Sequence, residues 1–414
     1  MSIKQKIIDW WDDTRSLLND ILASDEQEKT PINSVMEYRE RLKKYKMKSV
    51  VRTTLIVGVV AAAAFGTKYV IDHWEYKDYK VITEYYQEEA STVKYTEMAN
   101  NILKYGGDEV SLLNRQNTVM WNSPQTMDNP EVDVCQQYCV VYDKKGTKMS
   151  IFNQNGKVGD IQTELPVTKA KVASQGVVAA VLEDKDTTWI NLYDAQGNEI
   201  ATVKTRIDSP GFPVDLELSD DGLLLAVSYL KVEDYKPASY VAFYNFGTTG
   251  RNQMDNLVSA YTYAGVIIPD IEYMDDSRFV AIMDDGFVVY KGKQIPEEEC
   301  TVNTEEEIIS VFFDEDAVGM VFRGDDDEPY RMDLYKLNGK LKWSAGIEIA
   351  FDEITVSGER ILLYSKNEFA IYTMKGICRY KGALQEGNLR EIFKIAGNRY
   401  LMIMNEGNQT IKLS

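Results

Sequence analysis

The sequence predicts an all-β fold: an eight-bladed β-propeller, with seven blades as the alternative, preceded by one transmembrane helix and a short helical segment. Three observations carry this. Beyond Tyr79 the chain is a succession of short apolar runs separated by Gly, Asn and Asp turns. Through that region a unit of about 40 residues recurs, the length of a four-stranded blade. Ahead of it, residues 50–71 read VVRTTLIVGVVAAAAFGTKYVI, with charge only at Arg52 and Lys68.

The repeat is clearest at 167–205, VTKAKVASQGVVAAVLEDKDTTWINLYDAQGNEIATVKT, which holds four strand-like runs with a turn between each. Its third run returns as MSIFNQNGK (149–157), INLYDAQGN (190–198), MDLYKLNGK (332–340) and FAIYTMKGI (369–377). Each ends in an aromatic and a turn with glycine, which accepts the positive φ of a tight hairpin. First strands are expected near Ser91, Pro130, Val167, Phe212, Val266, Glu306, Ile349 and Leu389. The last unit runs out after three strands, so KVITEYYQ (80–87) is the expected closing strand, since a ring must remove its open edges.

The 50–71 run spans about 30 Å as a helix, the thickness of a bilayer core. Arg39, Arg41, Lys43, Lys44, Lys46 and Lys48 precede it, while Asp72, Trp74, Glu75 and Tyr76 follow. This asymmetry puts 1–49 in the cytoplasm and 80–414 outside, joined through a 72–79 linker, in a single-pass cell-membrane protein. A cleaved signal peptide is the competing reading, but its N-terminal region would be far too long. Gly58, Ala62 and Gly66 form a small-xxx-small series, either a helix-pairing seam or ordinary membrane composition. In the cytoplasmic segment Ile3, Ile7, Trp11, Leu18, Ile21 and Leu22 share one helical face, which needs lipid or a partner helix.

With 46 Lys and Arg against 65 Asp and Glu, the net charge of −19 argues against a nucleic-acid binder. The one histidine, His73, adjoins the expected membrane exit, which leaves no His-based catalytic or metal chemistry. Cys135 and Cys139 are a strand-end disulfide or two buried thiols; Cys300 and Cys378 complete the set. No enzyme activity and no cofactor are expected.

Acidic clusters are the most distinctive polar feature. The loops between second and third strands should share a face with the blade-to-blade connections. They carry Glu183, Asp184 and Asp186, then Glu233 and Asp234, Asp284 and Asp285, and Asp325, Asp326, Asp327 and Glu328. Glu297 to Glu299 are expected in a blade-to-blade connection. Hairpins of the opposite face, with Lys157, Lys340 and Lys375, are poorer in acid. One negative face would suit a basic protein partner, a cationic peptide or Ca²⁺, or serve solubility alone.

LELSDDGLLLAVSYL (216–230) resembles the inner strand pair of WD40-like and TolB-like blades, and the aromatic-glycine turns resemble quinoprotein-type propeller repeats. Those enzymes carry adjacent cysteines over the cofactor, and this chain has no Cys-Cys pair. More closely, the order of features resembles uncharacterised membrane-anchored propeller proteins of clostridia-type Firmicutes. Those features are a basic segment, a membrane helix, ILKYGGDEVSLL (102–113), VMWNSPQTMDNPEVDV (119–134), VVYDKKG (140–146), GFPVDLELSDDG (211–222) and FYNFG (243–247). The resemblance implies a Gram-positive cell membrane and supplies no activity or site. The expected role is an extracytoplasmic scaffold or ligand-binding receptor, with a quinoprotein-like or metal-binding enzyme and a transmembrane signal transducer as alternatives.

Overall fold

The computed structural model describes residues 35–72, 74–86, 90, 92–185, 187–206, 209–324 and 328–414. They form two units, one ending at Trp74 and the other running from Glu75 to Ser414.

In the first unit, one helix, α1 (Val35–Asp72), runs unbroken through the basic stretch and the apolar one. Leu55, Ile56, Val57, Val60 and Phe65 are exposed on it, Phe65 by 74%. A Cβ on Gly58 or Gly66 would meet nothing within 4 Å. Among the described residues no helix is long and apolar enough to cross a membrane. The side chains of Val51, Lys68 and Ile71, within the apolar run, lie outside the described ones, as do the 3–22 amphipathic stretch and His73.

In the second unit the described strands make eight four-stranded antiparallel sheets. Blade 1 is β2–β5 (94–124), blade 2 β6–β9 (130–162), blade 3 β10–β13 (167–206) and blade 4 β14–β17 (212–264). Blade 5 is β18–β21 (270–303), blade 6 β22–β25 (308–347) and blade 7 β26–β29 (353–383). Blade 8 joins β30–β32 (389–413) to β1 (Tyr79–Tyr86), in the order β1-β32-β31-β30. The structure thus has eight blades, and the latch is the strand expected from 80–87.

First strands of adjacent blades touch one another, β6 with β10, β10 with β14 and β14 with β18, so they line the central channel. Second and third strands are covered on both faces by neighbouring blades and read as continuous apolar runs, such as Val178 to Leu182, all buried. Outer strands alternate instead, as in β13 (Glu199–Arg206). Each core cluster spans a seam: Val181, Leu192, Leu218, Val227 and Tyr229 fill the one between blades 3 and 4. Tyr95, Ile102, Phe393 and Leu401 fill the seam that closes the ring, between blades 8 and 1.

The aromatic-glycine repeat is a seam device. Trp121 of blade 1 stacks on Phe152 of blade 2, with ring centroids 5.4 Å apart, and its Nε1 donates to the Gln154 carbonyl at 3.0 Å. Trp343 of blade 6 likewise donates to the Met374 carbonyl of blade 7 at 3.0 Å. Gly197 sits in such a turn at φ 91°, and a Cβ there would strike the Asp160 carbonyl of the neighbouring blade.

The latch is fixed by Tyr79. Its ring is buried against Phe369 and Tyr380 of blade 7, with centroids 5.6 and 5.9 Å away, and its hydroxyl accepts from the Gln385 amide at 2.8 Å. β1 pairs with β32 from Tyr79 opposite Leu413 to Tyr86 opposite Gly407. The four cysteines are free thiols, with Cys139 fully buried. Burial pushes the thiols of Cys135 and Cys139 up, which makes them poor nucleophiles.

Candidate functional site: the channel and the acidic face

Four consecutive first strands carry a charged residue at every second position: Glu131 and Asp133, Lys169 and Lys171, Asp215 and Glu217, Asp270 and Glu272. A spacing of two puts both members of a pair on one side of a strand. The ring brings these sides together in the channel. Lys171 Nζ lies 3.2 Å from Asp133 Oδ1 of blade 2 and 2.5 Å from Glu217 Oε2 of blade 4. The Glu217 contact is close enough for an ion pair but is not aligned as a hydrogen bond. Lys169 pairs with Asp215, which is 1% exposed. Asp215 Oδ2 also accepts from the Ile271 amide of blade 5 at 3.1 Å, and Asp133 Oδ2 from the Val172 amide of blade 3 at 2.8 Å.

Five carboxyls thus meet two ammonium groups in the channel, Asp215 and Glu217 buried and Asp133, Asp270 and Glu272 half-buried. Burial raises the Asp270 carboxyl, with the Asp215 carboxylate adding to it, to about 6. Burial likewise raises Glu272, against the pull of Lys171, to about 7. Glu217 is pushed well above the carboxylate range by burial. Burial alone would draw Lys171 down, but Asp133, Glu217, Glu272 and Asp215 outweigh it and hold the ammonium well above the ordinary lysine value. The cluster therefore keeps protons on some carboxyls near neutrality. Its sequence signal is the charge alternation itself, in strands otherwise rich in apolar residues, which is fainter than the acid runs of the loops.

Those loops fall as expected for the second-to-third-strand position. Because strands alternate in direction, this position shares a face with the blade-to-blade connections, while first-to-second and third-to-fourth hairpins share the other. Asp184 ends β11 (Val178–Asp184) of blade 3, Glu233 and Asp234 sit between β15 (Leu224–Glu233) and β16 (Lys236–Asn245), and Asp284 and Asp285 precede β20 (Gly286–Lys291). Glu328 precedes β24 (Tyr330–Lys336). Asp186, Asp325, Asp326 and Asp327 lie outside the described residues. Asp184, Glu233, Asp234, Asp284 and Glu328 are exposed. Glu233 pairs with Lys231 at 2.7 Å, and Asp284 accepts from the Ile267 amide at 3.1 Å, so the latter also shapes its loop. The structure brings these loops to one face but into no single constellation. Among the described residues no group of three or more His, Cys, Asp or Glu is arranged to hold a metal ion.

Two expectations are corrected. Glu297 to Glu299 are not in a blade-to-blade connection; they open the outer strand β21 (Glu297–Asn303) at the opposite edge, because the hairpin closes earlier, through Gly292 at φ 148°. The opposite face is also not uniformly poor in acid. Its outer hairpins carry Lys340 in blade 6 and Lys375 in blade 7 but Asp194 in blade 3 and Glu297 to Glu299 in blade 5, and its inner ones hold Asp220 and Asp221, Asp275 and Asp276, and Asp314 to Asp316.

The sequence did not point to the blade 4 hairpin as a projection. Strands of ten residues carry it out, and Tyr235 at its tip is fully exposed, with Val232 76% exposed beside it. Asp234 and Tyr235 both take positive φ, 49° and 63°, where Asn-Gly would be relaxed. On the same face a groove of about 290 Å³ opens between blades 7, 8 and 1, lined by Lys94, Lys366, Arg390, Asp352, Glu353 and Glu391. Tyr364 donates to Glu391 there at 2.6 Å, and burial raises the Glu391 carboxyl.

Among solved structures the chain is similar to Saccharomyces cerevisiae Sqt1, at 10% identity and a TM-score of 0.54, over 81% of this chain and 99% of that one. Chaetomium thermophilum Sqt1, solved bound to the N-terminus of the ribosomal protein L10, is similar at 11% identity and a TM-score of 0.53, over 81% and 100%. These likenesses are of fold. No curated protein matches by sequence. Residues 72–413 match the family of unknown function DUF5711, and the chain belongs to that family.

Proposed function

We propose that this protein is a non-enzymatic, membrane-anchored scaffold or receptor of the cell envelope, whose propeller stands outside the membrane and receives a basic protein segment on its acidic face. The observation that carries the reading is the gathering of exposed carboxylates, Asp184, Glu233, Asp234, Asp284 and Glu328, on one face of a ring whose central channel is itself lined by acid. Low-dielectric walls strengthen such a field and attract a cationic chain. The projecting Tyr235 supplies an aromatic contact, the residue type that anchors interfaces. A propeller of similar fold, the Chaetomium Sqt1, was solved with the N-terminus of another protein bound to it.

The anchor is assigned to 50–71. Five large apolar side chains exposed along α1 require cover, which a bilayer core provides. The basic flank before it and the acidic, aromatic one after it support an orientation with the propeller outside.

The test is titration of the full chain in detergent with a lysine-rich and a glutamate-rich peptide at low and high salt. Binding of the lysine-rich peptide alone, weakening with salt and with Glu233→Gln and Asp234→Asn, supports the reading. Binding that ignores both peptide charge and these substitutions would sink it.

A further inference from the structure

The latch strand fixes the face at which the propeller's own chain begins. β1 follows β32 in an antiparallel pair, so Tyr79 stands at the edge of the third-to-fourth hairpins, and Tyr86 at the acidic face. Within the propeller the first strand therefore starts on the side away from the acidic loops.

At that edge three cations stand in one row across blade 8. Lys80 of β1 lies opposite Lys412 of β32, and Lys412 lies opposite Arg399 of β31 (Arg399–Met404). Residues directly opposite in a ladder point to the same side, and like charges so placed repel. All three are exposed, and none makes an ion pair among the described residues. On the outer hairpins of the same face Lys375 of blade 7 and Lys340 of blade 6 are exposed as well, and the basic stretch ends at blade 5, where Lys293 pairs with Asp276 and Glu297 to Glu299 follow. A fold dominated by acid has thus kept a self-repelling cationic row at the edge where the propeller's first strand starts. Repulsion of this kind is relieved by an external anion.

The geometry points to a docking surface for anionic lipid headgroups: the Lys80–Lys412–Arg399 row and the adjoining basic rim lie against the phosphates of the bilayer, and the acidic face is turned away from it. The assignment rests on the membrane-anchored reading above. Each basic side chain near an anionic surface contributes a Coulombic attraction that falls off within a Debye length. Orientation by such a row would present the acidic face to partners instead of burying it against a surface of its own sign.

The experiment uses the full chain in phosphatidylcholine vesicles and in vesicles that also contain phosphatidylglycerol. Acylation of Lys80 and Lys412 is read by mass spectrometry, with Lys236 and Lys366 of the acidic face as internal controls. The proposal expects about fivefold slower acylation of the first pair in the anionic vesicles, with the controls unchanged. In a Lys80→Gln, Lys412→Gln, Arg399→Gln variant, Lys77 should lose the same protection while the protein still floats with the vesicles. Equal acylation in both vesicles would make the row only a guard against strand pairing and overturn the proposal. Protection reproduced by inorganic phosphate in neutral vesicles would overturn the lipid assignment in favour of a free-anion site. Failure of the unaltered chain to float with either vesicle would overturn the anchored reading itself.

Discussion

Lys171 Nζ stands 2.5 Å from Glu217 Oε2, and that contact ties blade 3 to blade 4 inside the channel while the same ammonium reaches Asp133 of blade 2. One lysine thus joins carboxyl groups of both neighbouring blades, and holds Asp133 as its ion-pair partner. Replacing it by methionine keeps the bulk and strands the acids. Lys171→Met is expected to cost about 3–5 kcal/mol in urea unfolding at neutral pH. Part of the loss should return at pH 5, where the stranded carboxyls protonate.

The same cluster makes stability depend on pH in the unusual direction. Asp270 at about 6 and Glu272 at about 7 lie above the ordinary carboxyl values, so the folded chain holds protons that the unfolded chain releases. Their stabilising contribution is complete below about pH 4 and is lost as pH rises through 6 and 7. Thermal unfolding between pH 5 and 8 should show stability falling by on the order of 4 kcal/mol from this source, about two thirds of it from Glu272. Glu272→Gln should flatten most of that slope; an unchanged slope would mean that Glu272 is not the group titrating.

Ring closure depends on one side chain more than any other in β1, since Tyr79 is the only buried residue of that strand. Tyr79→Ala should cost about 3–5 kcal/mol. Hydrogen exchange should speed first in β32 (Gly407–Leu413), whose outer partner is released, before the inner blades respond.

The blade 4 hairpin places two non-glycine residues at positive φ, at a cost of about 1 kcal/mol each. Tyr235→Gly should leave stability unchanged or raise it by up to about 1 kcal/mol. If Tyr235 is an anchor, the same substitution weakens peptide binding in the titration, which separates a binding role from a structural one.

Much of the ring was legible because blades repeat their chemistry. First strands begin at Pro130, Val167, Phe212 and Leu389 as the pattern implies. Those expected at Val266 and Ile349 begin later, at Asp270 and Glu353, because the connections ahead of them bury Ile268 and Ile349 in blade seams and so read as strand. The acidic loops were visible as runs of acid bounded by strands. The channel cluster was not, because its members are single charges spaced by two and separated by whole blades; only closure of the ring puts Lys171 beside Asp133 and Glu217. The Lys80, Lys412 and Arg399 row was hidden for the same reason, since its register depends on the latch.

The most direct test of the account is photo-crosslinking in the native cell from a probe at Tyr235 of the full chain. It compares the unaltered protein, an acidic-face variant (Asp184→Asn, Glu233→Gln, Asp234→Asn, Glu328→Gln) and the opposite-edge variant (Lys80→Gln, Lys412→Gln, Arg399→Gln). The account predicts a discrete crosslinked partner, with a basic segment at the crosslink, lost in the acidic-face variant and retained in the opposite-edge one. The same adduct at equal yield in all three would contradict it, since the acidic face would then have no part in recognition.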